Sequence, residues 1–192
     1  QGVSSAASDV YKRQDMARDV ATKINNLFSD TGVQAKAVTK AKISGVSADA
    51  TITFEVRGKN ASAVPVSATV QSDDLTSLAS AFNQMSSQTG ITAELASDKL
   101  SVTLTSADGY DIVLSDYSND ANGNVTVTGL GGDGDDLDPA DTAITLSGAA
   151  TVTALDSTRV IGDILFSSTK AFTVQESDGT AGTNAFVGTS TL

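Results

Sequence analysis

Carboxylates, three lysines and one glycine-rich acidic run are the groups whose spacing could do chemistry here, because the 192 residues include no His and no Cys. That absence removes the usual imidazole base, the thiol nucleophile and the soft metal ligands, and with them Ser-His-Asp catalysis, Cys-His catalysis and zinc sites. Asp108 and Asp111 flank Gly109 and have the form of a general acid/base pair. A turn aspartate bonding its own backbone explains Asp108 without chemistry, and structure is the expected role. Gly129-Leu-Gly131-Gly-Asp-Gly134 has the G-x-G-x-x-G spacing of a dinucleotide loop and follows a strand-like Val-Thr-Val-Thr. Asp133, Asp135, Asp136 and Asp138 would stand where a pyrophosphate must lie, and Pro139 interrupts any helix that could offer it an amino terminus. The same acids carry oxygen ligands for calcium, but without the Gly at position six and the Glu at position twelve of an EF-hand loop. A flexible, solvated linker is therefore expected. Lys36, Lys40 and Lys42 form a basic strip on one strand face, which is an anion site or, more commonly, a solvated surface. No catalytic, cofactor-binding or metal-binding residue is assigned, and no enzyme is expected.

Composition sets the next bounds. With a net charge of −11 and a pI near 4.2, the surface repels nucleic acid and anionic membranes, so neither is an expected partner. The chain is 40% hydrophobic but has only three Tyr, six Phe and no Trp. Its core must be closed by Val, Ile, Leu and Ala, which favours small, thin sheets. No apolar run approaches the roughly 20 residues of a membrane span, and the amino terminus has no apolar signal-like segment. A cysteine-free chain fits a protein that lives outside the cell without disulfides.

The elements that must position these groups are organised around a stretch that occurs twice, Asp19 to Ala35 and Ser77 to Ala93. In register, Val20 falls on Leu78, Ala21 on Ala79, Ile24 on Phe82, Asn25 on Asn83, Thr31-Gly32 on Thr89-Gly90, Val33 on Ile91 and Ala35 on Ala93. Each copy is a helix that stops at Thr-Gly and turns into a strand. The stripe Met16, Val20, Ile24, Leu27, Phe28 predicts a first helix over residues 15–29, and Leu75, Leu78, Phe82, Met85 a second, capped by Ser72 or Asp73. Ile24 and Phe82 are expected to be equivalent core residues. Period-two alternation predicts strands at 33–43, 52–57 and 64–70, the last at a sheet edge because Pro65 cannot donate to a ladder. A second set at 91–95, 100–104 and 110–114 is expected to form a three-strand meander beneath the second helix. Further strands are expected at 125–128, 144–146, 160–166 and 172–174.

The chain thus divides into residues 1–14, which are non-native or linker sequence outside the repeat, a first helix-plus-sheet module at 15–70, a second at 71–128, an acidic Gly/Asp linker at 129–141 and a β-rich return segment at 142–192. The expected class is α+β, mostly β.

Asp19-Val-Ala-Thr-Lys-Ile-Asn-Asn with Asp30-Thr-Gly-Val, and Leu100-Ser-Val-Thr-Leu-Thr-Ser-Ala-Asp-Gly-Tyr-Asp-Ile112, resemble the motif of the central, variable region of bacterial flagellins. There a helix containing Ala-Ile-Asn leads through Thr-Gly-Val-Thr-Ala into a strand and on to Leu-Thr-Leu-Thr-Ser-x-x-Gly-x-Asp-Ile. Ala171-Phe-Thr-Val and Gly179-Thr-Ala-Gly182 are similar to the segment leading back toward the flagellin stalk. The resemblance covers residues 15–128 well and 142–192 more loosely, and filament cap and hook-junction proteins carry the same module. It departs in two places: the long terminal helices of the family are not present, and the first copy has Arg57-Gly-Lys-Asn-Ala-Ser where the second has its hairpin. The resemblance implies a surface-exposed, extracellular, structural part of a filament subunit with no catalytic residues. Its implied partners are other filament subunits, joined through helices outside this stretch, so the piece by itself is expected to be monomeric. Exposed Ser and Thr are possible acceptors of O-linked glycans, whereas the sequons at Asn60 and Asn124 mean little in a bacterial chain. The alternative from another class is a binding module of a surface adhesin.

Overall fold

The computed structural model describes residues 16–132, 143–149 and 155–172. In chain order these form α1 (Ala17–Asn25), α2 (Phe28–Thr31), β1 (Val33–Ser44), β2 (Ala50–Arg57), β3 (Val64–Val70), α3 (Thr76–Gln84), α4 (Ser86–Thr89) and β4 (Ile91–Leu95). They continue as β5 (Ser101–Ser106), β6 (Ile112–Asn119), β7 (Asn124–Leu130), β8 (Ile144–Ser147), β9 (Thr158–Val160) and β10 (Asp163–Ser168). This is the α+β, mostly β class expected from the alternating sequence, built as two antiparallel sheets with short helices. One sheet runs β4-β5-β1-β7-β8, with β10 also paired to β1; the other runs β3-β2-β6-β9.

Both sheets owe their inner faces to the same alternation. Ala41 and Ile43 of β1, Val102 and Leu104 of β5 and Val125 and Val127 of β7 share one buried cluster with Ile52, Phe54 and Val56 of β2, Val66 and Val70 of β3, and Ile112 and Leu114 of β6. Helix α3 closes this core with Leu78 and Phe82, helped by Leu75 just before it. Phe54 sits at the centre, its ring 6.1 Å from Phe82 and 5.0 Å from Tyr117, which supplies most of the aromatic packing that a core of aliphatic side chains can use. Pro65 lies opposite Glu55 on β3, the edge of its sheet, as its missing N–H requires.

The strand partners depart from the sequence expectation. Residues 91–114 do not form a meander: β4 and β5 pair as a hairpin, but β5 gives its other edge to β1 (Thr39–Ser44 against Ser106–Ser101), and β6 crosses to pair with β2. Alternation states which side of a strand is buried and is silent on which strand lies beside it; with both edges of β5 taken, β6 cannot pair with β5 and lies instead in the other sheet. Stretches 15–70 and 71–128 therefore each contribute strands to both sheets. Leu100 lies before β5 and is 47% exposed. The strand expected over 160–166 is two, broken at Ile161-Gly162, with β9 on β6 and β10 on β1. Of the strand expected at 172–174, Val174 lies outside the described residues and Phe172 is not in a strand, its ring 6.2 Å from that of Phe166 in a tilted contact.

The two helices differ in what lies beneath them. Around α1 the buried set is Ala17, Ala21, Ala35 and Ala37, with Ile24 only partly covered. Leu27, equivalent to the half-buried Met85, is 55% exposed, and the neighbouring Phe28 is 45% exposed. Ile24 and Phe82 are thus not equivalent in burial, because α3 closes the space between two sheets whereas α1 lies on β1 and β10. Each expected long helix is also two short ones, interrupted at Asn26-Leu27 and at Met85, where Leu27 and Met85 donate to Ile24 and Phe82 in tight three-residue turns. The second helix is not capped by Ser72 or Asp73. Asp74 accepts from the Thr76 N–H at 2.9 Å, while Ser72 donates its N–H and hydroxyl to Asp49 at 2.7 and 2.8 Å.

Candidate functional site

The asparagine and the threonine of the repeated motif have a structural use, and the use is the same in both copies. The Asn25 amide donates to the Ala35 carbonyl and accepts from the Ala35 N–H, both at 2.8 Å. Asn83 does the same to Ala93, again at 2.8 Å in both directions. Thr31 and Thr89 donate to the carbonyls of Leu27 and Met85 at 2.9 and 3.0 Å, and each accepts from the N–H two residues on, at 3.2 Å. Gly32 and Gly90 carry φ of +67° and +71°, the left-handed conformation in which a helix hands its last N–H back to the preceding turn. A side chain with one donor and one acceptor side by side is the only kind that can pair both backbone groups of an extended residue, which is why this position is Asn.

The second motif, Ser106 to Ile112, carries the chain from one sheet to the other. Ser106 is buried and its hydroxyl accepts from the Tyr110 N–H at 3.2 Å, so Ser106, not Asp108, is the side chain that holds the turn. Gly109 has φ +69°, and a Cβ there would lie 2.3 Å from that of Ala37; the turn presses directly on β1. Tyr110 lies under Arg18 of α1, whose guanidinium is 4.1 Å from the ring centre. Asp108 is exposed, whereas Asp111 is 5% exposed and receives Arg159 of β9, with Nε donating to Oδ2 at 2.7 Å and Nη2 to the same oxygen. The two carboxylates therefore sit in different surroundings, Asp108 in solvent and Asp111 buried against Arg159.

Beside this ion pair lies a cavity of about 530 Å3, within the usual range for small-molecule sites. Arg57, Val113 and Arg159 stand opposite one another across β2, β6 and β9 and therefore project from the same face of the sheet. Ser115 continues the floor, and the loop after Arg57 forms a wall. That loop is held by Asn60, which donates to the carbonyls of Val56 and Ser62 at 3.0 and 2.7 Å and accepts from the Gly58 N–H at 2.8 Å. Arg57, Asn60 and Arg159 were not candidates from sequence. Arg57 is the last residue of an alternating run and Arg159 an isolated cation in a short strand, and neither position carries a local signal.

The remaining sequence candidates stay apart from this cavity. Lys36, Lys40 and Lys42 project outward from β1, with Lys40 opposite Thr105 and Lys42 between Thr103 and Thr128. Gly129, the start of the G-x-G-x-x-G spacing, is inside β7 opposite Ala41, not in a loop before a helix; Asp133, Asp135, Asp136, Asp138 and Pro139 lie outside the described residues. Among the described residues no cluster of acids could hold a metal ion, and no helix is long and apolar enough to cross a membrane. Compared with known proteins, the chain matches no family model and no curated sequence.

Proposed function

We propose that this chain is a surface-exposed middle part of a bacterial flagellin, a structural subunit of the extracellular motility filament, with no catalytic centre. The observation that carries the proposal is that the motif residues resembling flagellin are spent on structure: Asn25 and Asn83, Thr31 and Thr89, Gly32 and Gly90, Ser106, Gly109 and Asp111 all bind or abut their own chain. A repeated unit whose Asn and Thr side chains bond their own backbone fits a domain held outward on a polymer. On this reading its partners are other filament subunits, met through segments other than these. The test is antibody labelling of sheared bacterial filaments under the electron microscope, with antibody raised against this chain. Decoration along the filament length is expected. Label at the tip or hook junction alone would instead indicate a cap or junction protein, and label on the cell body an adhesin.

A further inference from the structure

We propose that the cavity between Arg57 and Arg159 is a binding site for a small hydroxylated carboxylate, the chemistry of a sugar acid; the proposal does not rest on the filament reading. Charge is the first observation. In a chain of net charge −11, the cavity wall carries Arg57 and Arg159 against the single acid Asp111, so the local balance is reversed. Asp111 already holds Arg159, which leaves Arg57 to meet an incoming anion. No hydrogen bond or ion pair engages the Arg57 side chain among the described residues.

Shape is the second observation. The two arginines straddle Val113 on neighbouring strands, each about 4.7–4.9 Å from the middle one. A planar carboxylate fits the guanidinium fork of Arg57, while the body of the ligand rests on Val113 and Ala61 and turns a hydroxyl toward Ser115. The frame is preorganised. Asn60 fixes the loop on one side, and on the other Ser157 bonds Asp156 at 2.8 Å while Asp156 accepts from the Tyr117 N–H at 2.9 Å. A monoanion is favoured over a phosphate dianion, because one available guanidinium matches one charge and the Asp111 carboxylate would repel a second.

The test titrates the whole chain with glucuronate, glucose and glucose 6-phosphate, followed by NMR shifts of Val113 and Ser115 and by calorimetry. Saturable glucuronate binding with a Kd of about 1 mM is expected, weakened by salt, with glucose and glucose 6-phosphate at least about tenfold weaker. Arg57→Gln, at an exposed position that leaves the fold intact, should cost about tenfold or more, and Arg57→Lys should recover only part because it loses the planar fork. Lys36→Gln, away from the cavity, should change nothing. Glucuronate binding that is absent, or equal in Arg57→Gln, would overturn the site. Equal binding of glucose, or tighter binding of glucose 6-phosphate, would overturn the carboxylate assignment.

Discussion

Asn83 shows how one side chain can determine a supersecondary unit. Its amide closes two hydrogen bonds on Ala93 at 2.8 Å each, tying the end of α3 to the strand that follows the Thr89-Gly90 turn. A net gain of about 0.5–1.5 kcal/mol per bond is usual, reduced here because water reaches the site. Asn83→Ala should therefore lower stability by about 1–2 kcal/mol in urea unfolding, and Asn25→Ala by a similar amount. Asn83→Asp should not rescue, since a carboxylate keeps the acceptor but faces the Ala93 carbonyl with a second oxygen. If Asp substituted for Asn83 without loss, the paired clamp would not be what positions the strand. Thr39 is the counter-example at this scale: its hydroxyl is the one buried side-chain oxygen without a partner among the described residues, where β1 passes from β10 to β5.

At the scale of elements, the two copies of the unit form an internal comparison. Phe82 is 2% exposed in the main core, and truncation there leaves a cavity between two sheets; Phe82→Ala should cost about 3–5 kcal/mol. Ile24 packs at the margin of a cluster of alanines, so Ile24→Ala should cost nearer about 1–2 kcal/mol, the transfer of a part-covered side chain with little cavity left behind. Hydrogen exchange should follow the same order, with amides of α1 opening before those of α3. Equal losses for the two substitutions, or slower exchange in α1, would show that the two helices are equally supported. What could be read from sequence here is physical in origin. The helix–Gly–strand unit is encoded within about fifteen consecutive residues by a stripe, an αL glycine and an alternation, all local signals. The pairing of β5 with β1, the crossing of β6 and the meeting of Asp111 with Arg159 depend on residues far apart in the chain, and nothing at either end of such a pair announces the other. The cavity was invisible for the same reason, since its walls come from β2, β6 and β9 and only the fold brings them together.

For the whole molecule, the charge of −11 sets two effects of acid against each other. Lowering pH toward the pI of about 4.2 relieves repulsion among carboxylates, which favours the compact state. The same protons compete with carboxylates that the fold uses. Asp49 is held below the usual range by the Ser72 N–H and then its hydroxyl, and Asp74 is held well below it by the Lys99 ammonium and then by Thr76. A group whose pKa is depressed in the folded state adds stability above its unfolded pKa, about 3.9 for Asp, and gives it up as pH falls through the folded value. Repulsion is spread over the whole surface and fades as the net charge nears zero, whereas protonation of Asp49 and Asp74 removes direct bonds to Ser72, Thr76 and Lys99, so the specific loss should win below about pH 4. The alkaline limb has the opposite sign. Lys99 is raised by its bond to Asp74 and Tyr117 by burial, so both support the fold below about pH 10 and withdraw that support as pH rises further. Urea unfolding from pH 2.5 to 11 should therefore show a plateau between about pH 5 and 9 with a fall on each side. Asp74→Asn should flatten the acid fall and, by removing the partner of Lys99, part of the alkaline one. Stability that holds or rises from pH 5 to 2.5, or an acid limb unchanged in Asp74→Asn, would mean that relief of the general repulsion outweighs the bonds around Asp49 and Asp74.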